Sequence, residues 1–464
     1  MLVAEQTKRS LNIWVFGWAI GALLFALVVT WQNRGLTFFW DEWHVVEATV
    51  ESPYFGVLQD NGGNFFPLSR IVFGLEVVVF GTWYPGYMFV TSLLFGATAL
   101  AFNILLDNGT TVRRITLSAF SLIYLSSTGV LFASSMGFML IWGLSPLLAT
   151  ISAAFFIRSQ SAPDSRKKWL AFAWLFFFLT WASFSSSIVI MALLIIGIIH
   201  LAPHNNGDLK SQRLYIRLSV LIMILSLVAV LVGIRLAQLN PPANPLAGTA
   251  QGSIDSLFAQ DFVATSALAL ASTLAGLFST IIAMPLHSNE LNSWLIIAVS
   301  DYIWIVIGLL TLIIALIYWR RKAFPDKYLW LTFSLYLAAN IFIAAARTPF
   351  IHRYQTLLVL IAILVFISLF DWLERIKLSR LRNFILAAVI VAACLSVWHI
   401  GTSALTIGNI ERQRDVANSA ILNDPMLCFE EANRTLDQIA PSMNPQSLCT
   451  LLVILNERSW ISQR

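Results

Sequence analysis

The residues best equipped for chemistry open with Asp41-Glu42-Trp43-His44 and continue, after a gap, as Asp60-Asn61-Gly62-Gly63-Asn64-Phe65-Phe66-Pro67-Leu68-Ser69-Arg70. A carboxylate held within about 3 Å of a hydroxyl can take its proton as the oxygen attacks, and Asp41 and Glu42 are both of that type. A guanidinium grips phosphate oxygens through its planar fork and offsets the charge left on a departing phosphate. Arg70, Arg347 and Arg353 can do this, with Tyr354 beside the last. His44 reads either as a solvated residue at headgroup level or as a metal ligand; a divalent cation, if one is required, would take Asp41, Glu42 and His44. Asp60 is either a second carboxylate of the site or the residue that opens an Asx turn before Asn61-Gly62. Asp301 lies in an apolar run, where an acid marks function or pairs structurally, here with Arg235. Trp40 and Trp43 read as members of an interfacial aromatic belt.

The elements that must position these residues are apolar helices. Of 464 residues, 58% are hydrophobic and 11% charged, against about a quarter charged in an ordinary soluble domain. That excludes an ordinary soluble fold. Runs such as Asn12 to Trp31 and Trp294 to Trp319 reach the roughly 20 residues that carry a helix across a hydrocarbon core of about 30 Å. Backbone polar groups find no water there, so the expected class is an all-α integral membrane protein. The first run is too long for a secretory h-region and no A-x-A type cleavage site follows it, so it is read as a retained span. The formal charge of +5 comes from short basic clusters between apolar runs, which argues against nucleic acid as a partner and for the positive-inside rule.

That rule sets the topology. Lys8 and Arg9 precede the first span and Asp41, Glu42, Glu47, Glu51 and Asp60 follow it, which puts the N-terminus in the cytoplasm and the loop at 32–83 outside. Spans fitted between the basic clusters fall near 12–31, 84–106, 115–134, 137–157, 169–184, 186–201, 215–237, 293–318, 328–346, 354–371 and 383–402, about eleven in all. The stretch from Trp169 to Leu201 is read as two short helices meeting around Ser183 to Ser187, and 262–284 as an embedded helix on the outer side. Phe65 to Phe80 is apolar but carries Arg70 and Glu76. Charges at the bilayer centre cost several kcal/mol, so this stretch is read as an interfacial helix with Glu76 on its wet side. Residues 1–402 form the bundle and 403–464 a small extracytoplasmic tail, where Cys428 and Cys449 are permitted a disulfide. With no soluble segment of enzyme size, any chemistry belongs to a membrane face or the bundle interior.

Adjacent acids just outside the first span, then a Gly-rich turn, P-L-x-R and an interfacial helix, resemble the pattern of GT-C fold glycosyltransferases. Asp41-Glu42-Trp43-His44 is similar to the D-E-x-H that opens the first outer loop of protein O-mannosyltransferases, and Pro67-Leu68-Ser69-Arg70 to their P-P-L-x-K element, with Phe66 where those enzymes have the first of two prolines. The layout also resembles that of the aminoarabinose transferases of lipid A and the phage-type O-antigen glucosyltransferases. The short helix pair at 169–201, the embedded segment at 262–284 and Arg353-Tyr354 at the start of a late span fit the same layout.

The resemblance implies a GT-C-like bundle in a bacterial inner or plasma membrane that moves a sugar from a polyprenyl-phosphate donor, with inversion, to a glycan, lipid or protein acceptor outside. Asp41 would serve as general base and Glu42 would support it through acceptor or metal contacts. Arg347, Arg353 with Tyr354, and Arg70 would hold the donor phosphate. Two other classes fit a polytopic chain: a transporter or lipid flippase, whose sites sit at mid-membrane between structural repeats, and a polysaccharide polymerase or ligase.

Overall fold

The computed structural model describes residues 2–35, 38, 41–51, 53–57, 66–161, 163–184, 187–202, 352–375, 377–394 and 397, and at Asp41, Trp43, His44, Arg353 and Tyr354 it describes the backbone only. Among these residues helix is the sole regular structure. In chain order come α1 (Leu2–Gln32), α2 (Asp41–Glu51), a 3-10 turn (Pro53–Gly56), α3 (Pro67–Phe80), α4 (Pro85–Leu106), α5 (Thr111–Leu125) and α6 (Thr128–Ser134). A second 3-10 turn (Gly137–Met139) leads into α7 (Leu140–Ser161), and a third (Pro163–Ser165) into α8 (Arg166–Ser183). Then follow α9 (Ile188–Leu201), α10 (His352–Arg375) and a helix, α11, at 379–394.

Among the described residues, three stretches are long and apolar enough to cross a membrane: Ile13–Gln32, Pro85–Leu106 and Gly137–Ser161. The spans expected near 12–31, 84–106, 137–157, 169–184, 186–201 and 354–371 all fall on helices, and α8 and α9 meet at the Ser183 to Ser187 junction. The expected span at 115–134 is divided instead. Ser127 accepts the N–H of Val130 on its side chain at 3.4 Å and starts α6 afresh, because a serine hydroxyl offers the backbone a local alternative to continuing the helix. The expected spans at 215–237, 293–318 and 328–346, the segment at 262–284 and the tail at 403–464 lie outside the described residues. So do Asp60, Arg235, Asp301, Arg347, Cys428 and Cys449.

Packing follows the rules of a medium in which burial of apolar surface gives little drive between helices, so small residues and polar ties take over. Gly96 of α4 lies so close to α1 that an added Cβ would stand 2.8 Å from the Ala22 Cβ and 2.9 Å from its Cα. Trp18 Nε1 donates to Ser118 Oγ at 3.1 Å, Asn103 Nδ2 to Ser121 Oγ at 2.6 Å, and Ser152 Oγ to the Ala173 carbonyl at 2.8 Å. These bonds join α1 to α5, α4 to α5 and α7 to α8. Outward, α1 presents Ile13, Phe16, Ile20, Leu24 and Leu27.

The bundle has two chemically different ends. At one, Arg113 donates from Nε to the Leu106 carbonyl at 2.9 Å and pairs with Asp371 at 2.8 Å, while Arg114 pairs with Asp107 at 3.1 Å. The basic Arg158 and Lys168 stand over Trp169 at this end. At the other end gather α2, the start of α4, the turn at 137–139 and the junction of α8 with α9. Helix α10 spans the distance between them. Its C-terminal turn is pinned to α5 through Asp371, its middle stacks Phe366 on Phe120 at 5.2 Å, and it packs along α6 and α9. At about 1.5 Å of rise per residue, its first turn lies roughly 28 Å from Asp371, at the α2 end.

Candidate functional site

Helix α2 is fastened to the bundle by Glu42. The carboxylate is 1% exposed; its Oε2 accepts from the Tyr84 hydroxyl at 2.7 Å and its Oε1 from the Phe138 N–H at 2.8 Å. The same hydroxyl accepts the Gly137 N–H at 3.1 Å. The local sequence explains the arrangement. Pro85 starts α4 and sets Tyr84 at its N-cap, and the 3-10 turn at 137–139 leaves backbone N–H groups directed out of the helix start, where a carboxylate is the natural acceptor. Thr91 Oγ1 donates to the Gly137 carbonyl at 2.9 Å and holds that turn against α4. Gly137 is obligatory there, since a Cβ would stand 2.5 Å from the Tyr87 Cβ.

Helix α3 completes the cluster from below α2. It buries Ser69, Arg70, Phe73, Gly74, Glu76 and Val77 and exposes Ile71, Leu75, Val78 and Val79. Its apolar face is the outer one and its charged face the inner one, the polarity of a helix whose outward surroundings are hydrocarbon. One expectation for this helix is corrected. Glu76 is not on a wet side; it is 5% exposed. Arg70 is 2% exposed, with its guanidinium 5.3 Å over the Phe66 ring and Nη1 at 3.5 Å from the Val45 carbonyl of α2. Sequence reasoning assumed water along one side of this helix, whereas the residues at 71, 75, 78 and 79 take the outside. Ser69 Oγ donates to the Ser183 carbonyl at 2.7 Å, tying α3 to the end of α8.

Electrostatics single out Glu76. Neither of its oxygens has a hydrogen-bond partner, and burial, reinforced by the negative charge of Glu42, holds its carboxyl well above the usual carboxylate range. Both effects disfavour the ionised form.

Of the sequence-derived residues, Glu42 and Arg70 meet at this end of the bundle. Asp41 and His44 belong to the first turn of α2, and Arg353 and Tyr354 to the first turn of α10, which begins at the same end. Among the described residues no group of three or more His, Cys, Asp or Glu can hold a metal ion. Sequence reasoning missed Tyr84 and the backbone of 137–138. An aromatic at the start of a span reads as part of the interfacial belt, and a backbone donor carries no side-chain signal at all. Compared with protein-family profiles, curated proteins and solved structures, the chain matches none.

Proposed function

We propose that this chain is a multi-pass membrane glycosyltransferase of GT-C type, with about eleven crossings, a cytoplasmic N-terminus and an extracytoplasmic site that takes sugar from a polyprenyl-phosphate donor. The observation that carries the reading is the pairing of D-E-x-H with P-L-x-R in the first loop. Its support is that both motifs lie at the end of the bundle where the helix carrying Arg353 begins, away from the basic end with Arg113, Arg114, Arg158 and Lys168. The positive-inside rule makes that basic end cytoplasmic. An outward site requires a donor that reaches the outer face in the lipid, as a polyprenyl-phosphate sugar does.

In this reading Asp41 takes the proton of the acceptor hydroxyl as its oxygen attacks the anomeric carbon. The bond from that carbon to the phosphate oxygen breaks, the electron pair leaves with the polyprenyl phosphate, and configuration inverts. Arg353, Arg347 and Arg70 stabilise the charge that develops on the phosphate. Glu42 is a positioning residue: by binding Tyr84 and the Phe138 N–H it fixes the helix on which Asp41 stands.

The test is transfer from a labelled polyprenyl-phosphate sugar in reconstituted membranes. The reading expects a glycosylated acceptor and free polyprenyl monophosphate, with Asp41→Asn lowering turnover by a factor on the order of 10²–10⁴. Release of pyrophosphate would assign a ligase. Movement of lipid or solute without covalent transfer would assign a transporter.

A further inference from the structure

We propose that Glu42 and Glu76 form a one-proton carboxyl pair that fastens the first-loop helix α2 to the bundle, so that α2 is held while Glu76 keeps its proton and released when it loses it. Two observations on geometry carry this. Glu42 is the clamp, with one oxygen on the Tyr84 hydroxyl and the other on the Phe138 N–H. Glu76 is a second buried carboxyl on α3, the helix against which α2 packs, and neither of its oxygens has a hydrogen-bond partner. Two carboxylates cannot both ionise close together in a dry site, because repulsion grows as the local dielectric falls.

The groups around Glu76 fit a single proton. Phe73, one turn before Glu76 on α3, meets Tyr87 at 5.5 Å and Phe138 at 5.8 Å, and the Phe138 N–H is the one that Glu42 binds, so the two carboxyls belong to the same corner; Arg70 shares the helix of Glu76. The charged residues of α7 and α8, Arg158 and Arg166 to Lys168, belong to the far end of the bundle. In the 3-10 turn at 53–56 Tyr54 points outward and is 87% exposed. Within this circle Glu42 is the charge that pushes the Glu76 carboxyl up, after burial itself.

The sign follows from linkage. Glu76 binds its proton more tightly with α2 docked than with α2 lifted into water. The contribution of Glu76 to docking is therefore full below the ordinary carboxyl value of 4.5 and is lost as pH rises from there toward the docked-state value. Within that window the docking equilibrium changes by up to about tenfold per pH unit, the limit for one proton. Buried carboxyls that weaken a structure persist where function uses them, and this one loosens the helix that bears Asp41-Glu42.

Hydrogen exchange of the amides of 41–51 in the reconstituted full chain tests the pair, with rates corrected for the intrinsic pH dependence of exchange. Wild-type protection should fall as pH rises, while Glu76→Gln should show a flat profile and higher protection at neutral pH. An infrared band of a protonated carboxyl at neutral pH, absent from Glu76→Gln, gives a second reading that requires no change in docking. A wild-type profile as flat as that of the variant, or no protonated carboxyl assignable to Glu76, overturns the proposal. Neither measurement involves sugar transfer, so its outcome is separate from that of the proposed reaction.

Discussion

Tyr84→Phe removes a single oxygen and leaves a ring in place, which makes it the sharpest perturbation of the first-loop clamp. The ring contacts do not depend on the hydroxyl: Phe38 meets Tyr84 edge-on at 4.9 Å, and Tyr87 stacks on it at 6.0 Å. The hydroxyl makes three contacts that do: its proton has Glu42 at 2.7 Å and the Ser135 carbonyl at 3.3 Å as acceptors, and its oxygen accepts the Gly137 N–H at 3.1 Å. A hydrogen bond to a charged group contributes about 1.5–3 kcal/mol, and a buried donor left without an acceptor costs about 1–3 kcal/mol. The two share one atom and do not add fully, so the expected loss is about 2–4 kcal/mol in the docking of α2. Hydrogen exchange across 41–51 measures that loss as reduced protection. A double-mutant cycle with Glu42→Met, whose side chain has no oxygen to accept the hydroxyl, isolates the Tyr84–Glu42 bond, because the Gly137 and Ser135 contributions are common to both backgrounds and cancel. The coupling should be about 1.5–3 kcal/mol; a value within about 0.5 kcal/mol of zero would mean that Glu42 does not hold α2 through Tyr84.

Other parts of the bundle give further expectations. Gly96→Val forces atoms into the Ala22 backbone, where an added Cβ already stands at 2.8–2.9 Å, and should destabilise by about 1–3 kcal/mol in thermal unfolding, whereas Gly17→Ala, with nothing within 4 Å, should not. Asp371→Asn removes the charge that pairs with the buried Arg113 at 2.8 Å and should cost about 1–3 kcal/mol, the exposed side of Asp371 holding the figure below that of a fully buried pair. Ser127→Ala deprives α6 of its N-cap and should cost about 1 kcal/mol, read as faster exchange at 128–131.

The sequence made the helices legible where apolar length and basic anchors coincided. Pro85–Leu106 and Gly137–Ser161 fall where expected, and the pair α8 and α9 meets at the serines proposed for the junction. The break at Ser126-Ser127 was harder to see, because a hydroxyl that caps and a hydroxyl that rides along a helix are the same residue type. Polarity misled at Glu76. An amphipathic run has two faces, and the pattern alone does not say which medium lies against the apolar one; the choice of water for the charged face put Glu76 outside. For Arg70 the motif gave a place in the first loop, while its burial against Phe66 depends on how α2 and α3 close together. The Glu42 clamp rests on residues 42, 84 and 137–138, whose separations in sequence carry no periodic signal.

The claim on which the account rests is that the start of α10, with Arg353, shares an end of the bundle with α2, and that α8 begins at the opposite one. Single cysteines at Glu47, His352 and Lys167, introduced one at a time into an otherwise cysteine-free chain, can be labelled with a membrane-impermeant thiol reagent in intact cells. The account predicts labelling at 47 and 352 from outside, and at 167 only after the membrane is opened. Labelling of 47 and 352 from opposite faces would contradict it.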